Sequence, residues 1–149
     1  MEQKSIIARI IVEILGSPKE HVEETMNQVI EKLKTEKDIR LINRKTYKTE
    51  QQEQTKLWST FSEVELQSSS LKRLMDICFD YMPSSLEIIE PAGMEIDLSD
   101  ISAFLNDLLA RVHKYDMVLK NLHAQNLTMQ HDLQLIKEAA KQAAEKKSK

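Results

Sequence analysis

The strongest pattern in the chain lies in residues 101–143, ISAFLNDLLARVHKYDMVLKNLHAQNLTMQHDLQLIKEAAKQA. Apolar residues recur there in alternating steps of four and three over about six heptads, which is the spacing of a coiled-coil seam. The segment therefore predicts a long C-terminal helix with an oligomerisation surface along one side. The positions assigned to that surface are Leu105, Leu108, Val112, Tyr115, Leu119, Leu122, Asn126, Met129, Leu133 and Ile136.

The one polar residue in this seam, Asn126, indicates how the helix pairs. With Leu105 at heptad position a, Asn126 also falls at a, where its amide is satisfied by the same residue of a parallel, in-register partner. Charges beside the seam agree, because Arg111 attracts Asp116 and Asp132 attracts Lys137 across such a pair. We therefore expect a parallel homodimer. The alternative is a surface asparagine on a helix that folds back on its own domain.

Composition sets the class of protein. The 149 residues are 30% charged and 5% aromatic, with a net charge of −3, which suits one domain plus an extended element. Neither part of the chain has the excess of Lys and Arg typical of nucleic-acid-binding proteins. A lone Cys78 excludes an intrachain disulfide. Because Arg9 and Glu13 interrupt the apolar run near the N-terminus, we expect no signal peptide, no membrane contact and a cytoplasmic location.

The first half of the chain alternates between strand and helix patterns. Residues 5–15 are rich in β-branched side chains and apolar on both alternating sets, as in a central strand. Ser17 as N-cap and Pro18 in the first turn predict that a helix follows. Residues 39–47 and 57–66 then predict two antiparallel strands. Between these strands, the polar residues 48–56 predict a long, mobile hairpin loop.

Three further details of this region are predicted. In the second strand, Arg40 and Arg44 lie on the face opposite Leu41. A second helix begins at the serines 68–70 and ends before Pro83, and residues 85–89 predict a fourth strand. The buried stripe of the second helix is Leu71, Leu74, Met75, Cys78, Phe79 and Met82.

This order of elements resembles the α+β, ferredoxin-like split βαβ sandwich (βαββαβ), over about residues 5–90. We expect a sandwich domain at 1–93 and a long helix at 94–149. The helix is predicted to pack on the domain up to about residue 115, where Phe104 and Leu109 widen its apolar surface, and then to form the coil. Its end is a frayed, lysine-rich tail made of Lys141, Lys146, Lys147 and Lys149.

No catalytic, cofactor-binding or metal-binding constellation is predicted. His113, His123 and His131 form no pair four residues apart, and Gly16 and Gly93 stand too far apart for a phosphate-binding loop. We therefore expect that the protein is not an enzyme and needs no cofactor.

The leading hypothesis is a homodimeric adaptor or assembly protein that binds a further protein. A first alternative is nucleic-acid or ribosome association through the lysine tail and the basic hairpin, although Trp58 and Phe61 are an odd number apart and form no RNA-stacking platform. A second is an ACT-like domain that senses a small ligand. The hairpin residues proposed for nucleic-acid contact are Arg40, Arg44, Lys45 and Lys48.

Overall fold

The structure is a computed structural model and describes residues 5–147, so residues 1–4 of the predicted domain and Lys149 of the predicted tail lie outside the described residues. It is an α+β protein with a five-stranded antiparallel sheet and a long C-terminal helix. The chain divides into two compact units between Glu95 and Ile96. The elements are β1 Ile6–Gly16, α1 Lys19–Lys34, β2 Ile39–Thr46, β3 Glu50–Gln51, β4 Trp58–Ser68, α2 Leu71–Tyr81, β5 Ser85–Glu90 and α3 Leu98–Lys147.

The strand order is β2-β4-β1-β5, and β3 also pairs with β4. β1 lies inside the sheet, where Ile10 is opposite Val64 of β4 on one side and Leu86 of β5 on the other. The β-branched composition of β1 is typical of a central strand, which has a neighbouring strand along each edge.

The hydrophobic core of the first unit lies between the sheet and the two helices α1 and α2. Alternate residues of β1 and β4 point into it, while the residues between them lie on the other face of the sheet. The buried side chains of α1 recur at the spacing of one helix face, as in Met26, Ile30 and Leu33. The core cluster consists of Ile6, Ala8, Ile10, Val12, Met26, Ile30, Leu33, Ile39, Val64, Leu66, Leu74 and Ile77.

The ends of the two short helices differ in part from the prediction. α1 begins at Lys19, and the extended Pro18 is its N-cap; no side-chain cap bond forms, because the proline side chain has no atom that accepts a hydrogen bond. In α2 the cap is Ser70, whose Oγ accepts a hydrogen bond from the Arg73 amide at 3.1 Å. Met82 takes the left-handed C-cap conformation and is 64% exposed, so it leaves the predicted stripe, in which Ile77 is buried instead.

A β-bulge in β2 overturns the predicted orientation of Arg44. The pairing with β4 shifts between Leu41 and Asn43, so one extra residue enters β2 and the alternation reverses after it. Arg44 therefore lies on the helix side, where its Nη2 donates to Asn27 Oδ1 of α1 at 2.8 Å.

The predicted hairpin loop contains regular structure. Glu50 and Gln51 form β3, opposite Ser59 and Trp58 of β4. The turn beyond it is closed by hydrogen bonds from the Gln52 amide to the Leu57 carbonyl at 2.8 Å and from the Lys56 amide to the Gln52 carbonyl at 2.9 Å. The polar composition of residues 48–56 suggested a plain loop because a two-residue edge strand is too short to produce an alternating pattern.

A polar cluster joins the turn after α1 to α2. The Tyr81 hydroxyl donates to Glu36 at 2.6 Å, Arg73 pairs with the same carboxylate, and Arg73 Nε donates to the Lys37 carbonyl at 2.8 Å. The hydrogen bond from Tyr81 lowers the pKa of Glu36, and the charge of Arg73 acts in the same direction. Burial, followed by the bond to Glu36, raises the pKa of Tyr81.

We expect Glu36→Gln to lower the free energy of unfolding by about 1 kcal/mol near neutral pH, because a charge-assisted contact becomes a neutral one. Since folding lowers the pKa of Glu36, its contribution is present above the unfolded value of about 4.3 and is lost as the pH falls through the folded pKa. Urea unfolding followed by Trp58 fluorescence, near neutral pH and in acid, measures this difference. In Tyr81→Phe, which keeps the carboxylate but removes the hydrogen bond that lowers its pKa, the acid loss should be smaller and should be complete at higher pH. If Glu36→Gln leaves the acid dependence unchanged, the cluster does not supply it.

Candidate functional site

The second unit consists mainly of α3, an uninterrupted helix of 50 residues that contains neither glycine nor proline. At about 1.5 Å per residue it extends over roughly 75 Å. Asp100 lies in its first turn, where a negative charge interacts favourably with the helix dipole. All residues that the sequence assigns to the oligomerisation surface therefore lie on one helix.

The seam residues of α3 are largely exposed. Leu119 is 69% exposed and Ile136 is 64% exposed, whereas the core residues of the first unit are close to zero. Leu108 is the half-buried member of the set. The others that exceed two fifths exposure are Leu105, Val112, Tyr115, Leu122, Met129 and Leu133. Large aliphatic side chains repeated along one side of a helix in this way form a surface suited to another helix.

Some polar side chains of α3 are bonded within the helix. Gln130 Nε2 donates to Asn126 Oδ1 at 2.9 Å, and Lys120 Nζ lies 2.6 Å from Asp116 Oδ2. Both pairs are four residues apart, the spacing at which side chains of a helix meet. The first of these bonds leaves part of the hydrogen-bonding capacity of the Asn126 amide unused.

A second surface lies on the face of the sheet away from α1 and α2, and we call it the second sheet face. It contains the half-buried Ile7 and Ile11 of β1 and the 39% exposed Phe61 of β4. The hypothesis that the first heptads of the long helix cover this face stays a prediction. The residues named for that cover are Phe104, Leu105, Leu108, Leu109 and Val112.

Arg9 holds the charges of the second sheet face together. Its Nη2 lies 2.8 Å from Glu65 and its Nη1 3.2 Å from Glu87, while its Nε is 3.6 Å from Glu63. The hydrogen bond to Glu65 raises the pKa of Arg9. One guanidinium thus links β1 to both neighbouring strands and reduces the repulsion among three carboxylates.

The sequence analysis did not find this cluster. The alternation of side chains shows which face of its own strand each charged residue occupies. Only the pairing of β1 with β4 and β5 shows that Arg9, Glu63 and Glu65 lie together. The signal that could have revealed the cluster is Arg9, a charged residue between the apolar residues Ala8 and Ile10 of β1.

The residues proposed for nucleic-acid contact do not share one face. Arg40 and Lys45 lie opposite Gln67 and Glu63, whose side chains are on the second sheet face, whereas Arg44 lies on the helix side. Lys48 is exposed just beyond β2. The bulge in β2 thus divides the basic hairpin between the two faces of the sheet.

Trp58 and Phe61 lie on opposite faces of the sheet, as their odd spacing along β4 predicts. Trp58 lies on the helix side, with Lys19 Nζ of α1 5.6 Å from the centre of its ring. Phe61 lies on the second sheet face and stacks on Tyr47, with ring centres 4.4 Å apart. This stacked pair holds the chain just beyond β2 against β4, since the Tyr47 amide also donates to the Phe61 carbonyl at 2.9 Å.

The remaining reactive groups of residues 5–147 include Cys78 and the histidine, aspartate and glutamate side chains. Within residues 5–147, no three His, Cys, Asp or Glu side chains are grouped so as to hold a metal ion. Cys78 is half-buried in α2, and burial raises the pKa of its thiol, which makes it a poorer nucleophile. In the same part of the chain, no helix combines the length and the apolarity needed to span a membrane.

The fold and its surfaces define a class of protein: an α+β domain followed by a long helix that exposes a heptad seam. The chain belongs to the MJ0538 family, whose model matches residues 7–140. The match begins in β1, ends in α3 and includes all ten residues assigned to oligomerisation. No curated protein matches the chain.

Proposed function

We propose that the protein is a cytoplasmic, non-enzymatic adaptor or assembly protein that acts as a homodimer, with α3 of one chain paired to α3 of a second. The observation that carries the proposal is the exposure of the seam, in which Leu119, Leu122 and Ile136 are each more than half exposed. Each such side chain contributes roughly 1.5–3 kcal/mol when it is buried. Burial of this seam by a second copy is therefore a strong driving force for association.

The proposal includes a ferredoxin-like arrangement for the first unit. The strand order β2-β4-β1-β5, with β3 as an extension along β4, supports this arrangement, as do two helices on one face of the sheet. Such domains host many functions, so the domain does not by itself indicate an activity. The function is argued from α3, whose exposed surface gives the protein a means of bringing two domains together.

The test is the molar mass of the full-length protein by light scattering over a range of concentrations. We expect twice the chain mass of 17.3 kDa in the micromolar range. The absorbance ratio of the same sample shows whether nucleic acid co-purifies with it. A mass of one chain at every concentration would overturn the homodimer, and bound nucleic acid lost on adding salt would favour the nucleic-acid hypothesis instead.

A further inference from the structure

We infer that α3 encodes a parallel, in-register pairing through a polar layer made of Gln125, Asn126 and Gln130. This inference rests on the proposed homodimer and adds the group of residues that sets the parallel orientation and the register expected from the sequence. The layer divides the seam into an apolar segment that ends at Leu122 and a second that begins at Met129. In a coiled coil, a polar layer of this kind selects among pairings that the apolar positions alone tolerate.

The intrachain bond prepares Asn126 for a matching partner. Gln130 Nε2 donates to Asn126 Oδ1 at 2.9 Å, which restrains the amide. A carboxamide has two donors and two acceptor positions, so Asn126 keeps capacity for one more amide across the seam. In a parallel, in-register pair position a meets position a, and the second amide is Asn126 of the other copy.

An antiparallel pair gives Asn126 no amide partner on the other helix. There, position a faces position d of the other helix, and none of the d residues carries an amide. An amide buried without its partner disfavours such a pairing by roughly tenfold or more. The d positions of α3 are Ile101, Leu108, Tyr115, Leu122, Met129, Ile136 and Ala143.

Residues beside the seam match in the same register. In a parallel pair, position g of one helix meets position e five residues further along the other. From Arg111 onward, four of the five resulting pairs match in chemistry: two are oppositely charged, one joins two glutamines and one joins two alanines. The matching pairs are Arg111 with Asp116, Asp132 with Lys137, Gln125 with Gln130 and Ala139 with Ala144.

A shift of the partner by one heptad removes this agreement. In one direction Asp132 meets Ala144 and Gln125 meets Lys137; in the other, Arg111 meets Leu109. Both attractive charge pairs are lost in either case, and Asn126 then faces an apolar a residue, Leu119 or Leu133. Because exposed charge pairs contribute little and Asp116 already contacts Lys120, the polar layer is the larger determinant.

The test uses cysteine cross-linking of the full chain in a Cys78→Ser background. Ile136→Cys places a thiol at position d, so in a parallel, in-register pair the two introduced thiols meet and form an interchain disulfide on oxidation. A mixture of this variant with Leu105→Cys reports the antiparallel pairing, because Leu105 is the position-a residue that faces Ile136 when two antiparallel helices overlap along the whole seam. We expect the same-position cross-link to exceed the mixed one at least tenfold. A predominantly mixed product would overturn the inferred orientation, while a single-chain mass before oxidation would overturn the homodimer itself.

Asn126→Leu then tests the layer. We expect a higher melting temperature, together with a rise of the mixed cross-link or of masses above two chains. Asn121→Leu is the matched control, because the same change at heptad position c lies outside the seam and should leave the cross-links unchanged. If Asn126→Leu remains strictly dimeric with only the same-position cross-link, the polar layer does not set the register, although the homodimer stands.

Discussion

A chain that carries both Leu119→Lys and Leu122→Lys is expected to be a monomer where the unaltered protein is a dimer. These residues are adjacent seam positions, 69% and 58% exposed on the single helix. In a homodimer four leucines lose their burial, which removes roughly 6–12 kcal/mol, against about 8 kcal/mol for a micromolar dissociation constant. The four introduced lysine ammonium groups would also repel one another across the interface. Light scattering measures the change, and far-ultraviolet circular dichroism should show partial loss of the α3 helix.

The matched control is Met117→Lys with Ala124→Lys. Both residues are at heptad position f, on the side of the helix away from the seam, so the same two charges are added without touching the interface. This control should keep the mass of two chains. If the seam variant also keeps it, the dimer is built on another surface. If the control dissociates as well, added charge alone explains the effect and the seam is not implicated.

Ile10→Ala is expected to destabilise the first unit by about 2–5 kcal/mol, the usual cost of removing a large aliphatic side chain from a packed core. Ile10 is fully buried at the centre of β1, and its neighbours in the sheet are Val64 and Leu86. The cavity would lie in the core between the sheet and the helices α1 and α2. Urea unfolding followed by the fluorescence of Trp58, the single tryptophan, measures the loss.

Ile11→Ala is the control for this prediction. Ile11 is the next residue of β1 but lies half-buried on the second sheet face, so its truncation should cost about 1 kcal/mol. Equal losses at the two positions would contradict the assignment of a single core on the helix side. They would also indicate that the second sheet face is covered in solution.

The regular elements other than the two-residue β3 were predictable because their patterns are local. The doubly apolar β1 and the i, i+4, i+7 stripe of α1 both follow from residues within a single element. The long helix α3 was predictable for the same reason, since heptad spacing needs no knowledge of the rest of the fold, whereas the pairing of its seam stays a prediction. The start of α2 after Ser70 and its end before Pro83 likewise depend on single residues, and the helix has both of these limits.

Features that depend on pairing between distant segments were not predictable. The bulge at Ile42 and Asn43 exists only against β4, and it reverses the orientation of Arg44. The contacts of Arg9 with Glu87 require β5 to lie beside β1, and those of Glu36 with Tyr81 require α2 to dock near the turn after α1. In each case the sequence contains the charges, but only the tertiary structure determines the partner.

The length of α3 has a mechanical consequence. A helix of 50 residues separates its two ends by about 75 Å, several times the radius expected for a domain of the size of the first unit. Ile136 therefore lies about ten helical turns from Leu98. Inserting or deleting a whole heptad would change this separation by about 10 Å while preserving the seam.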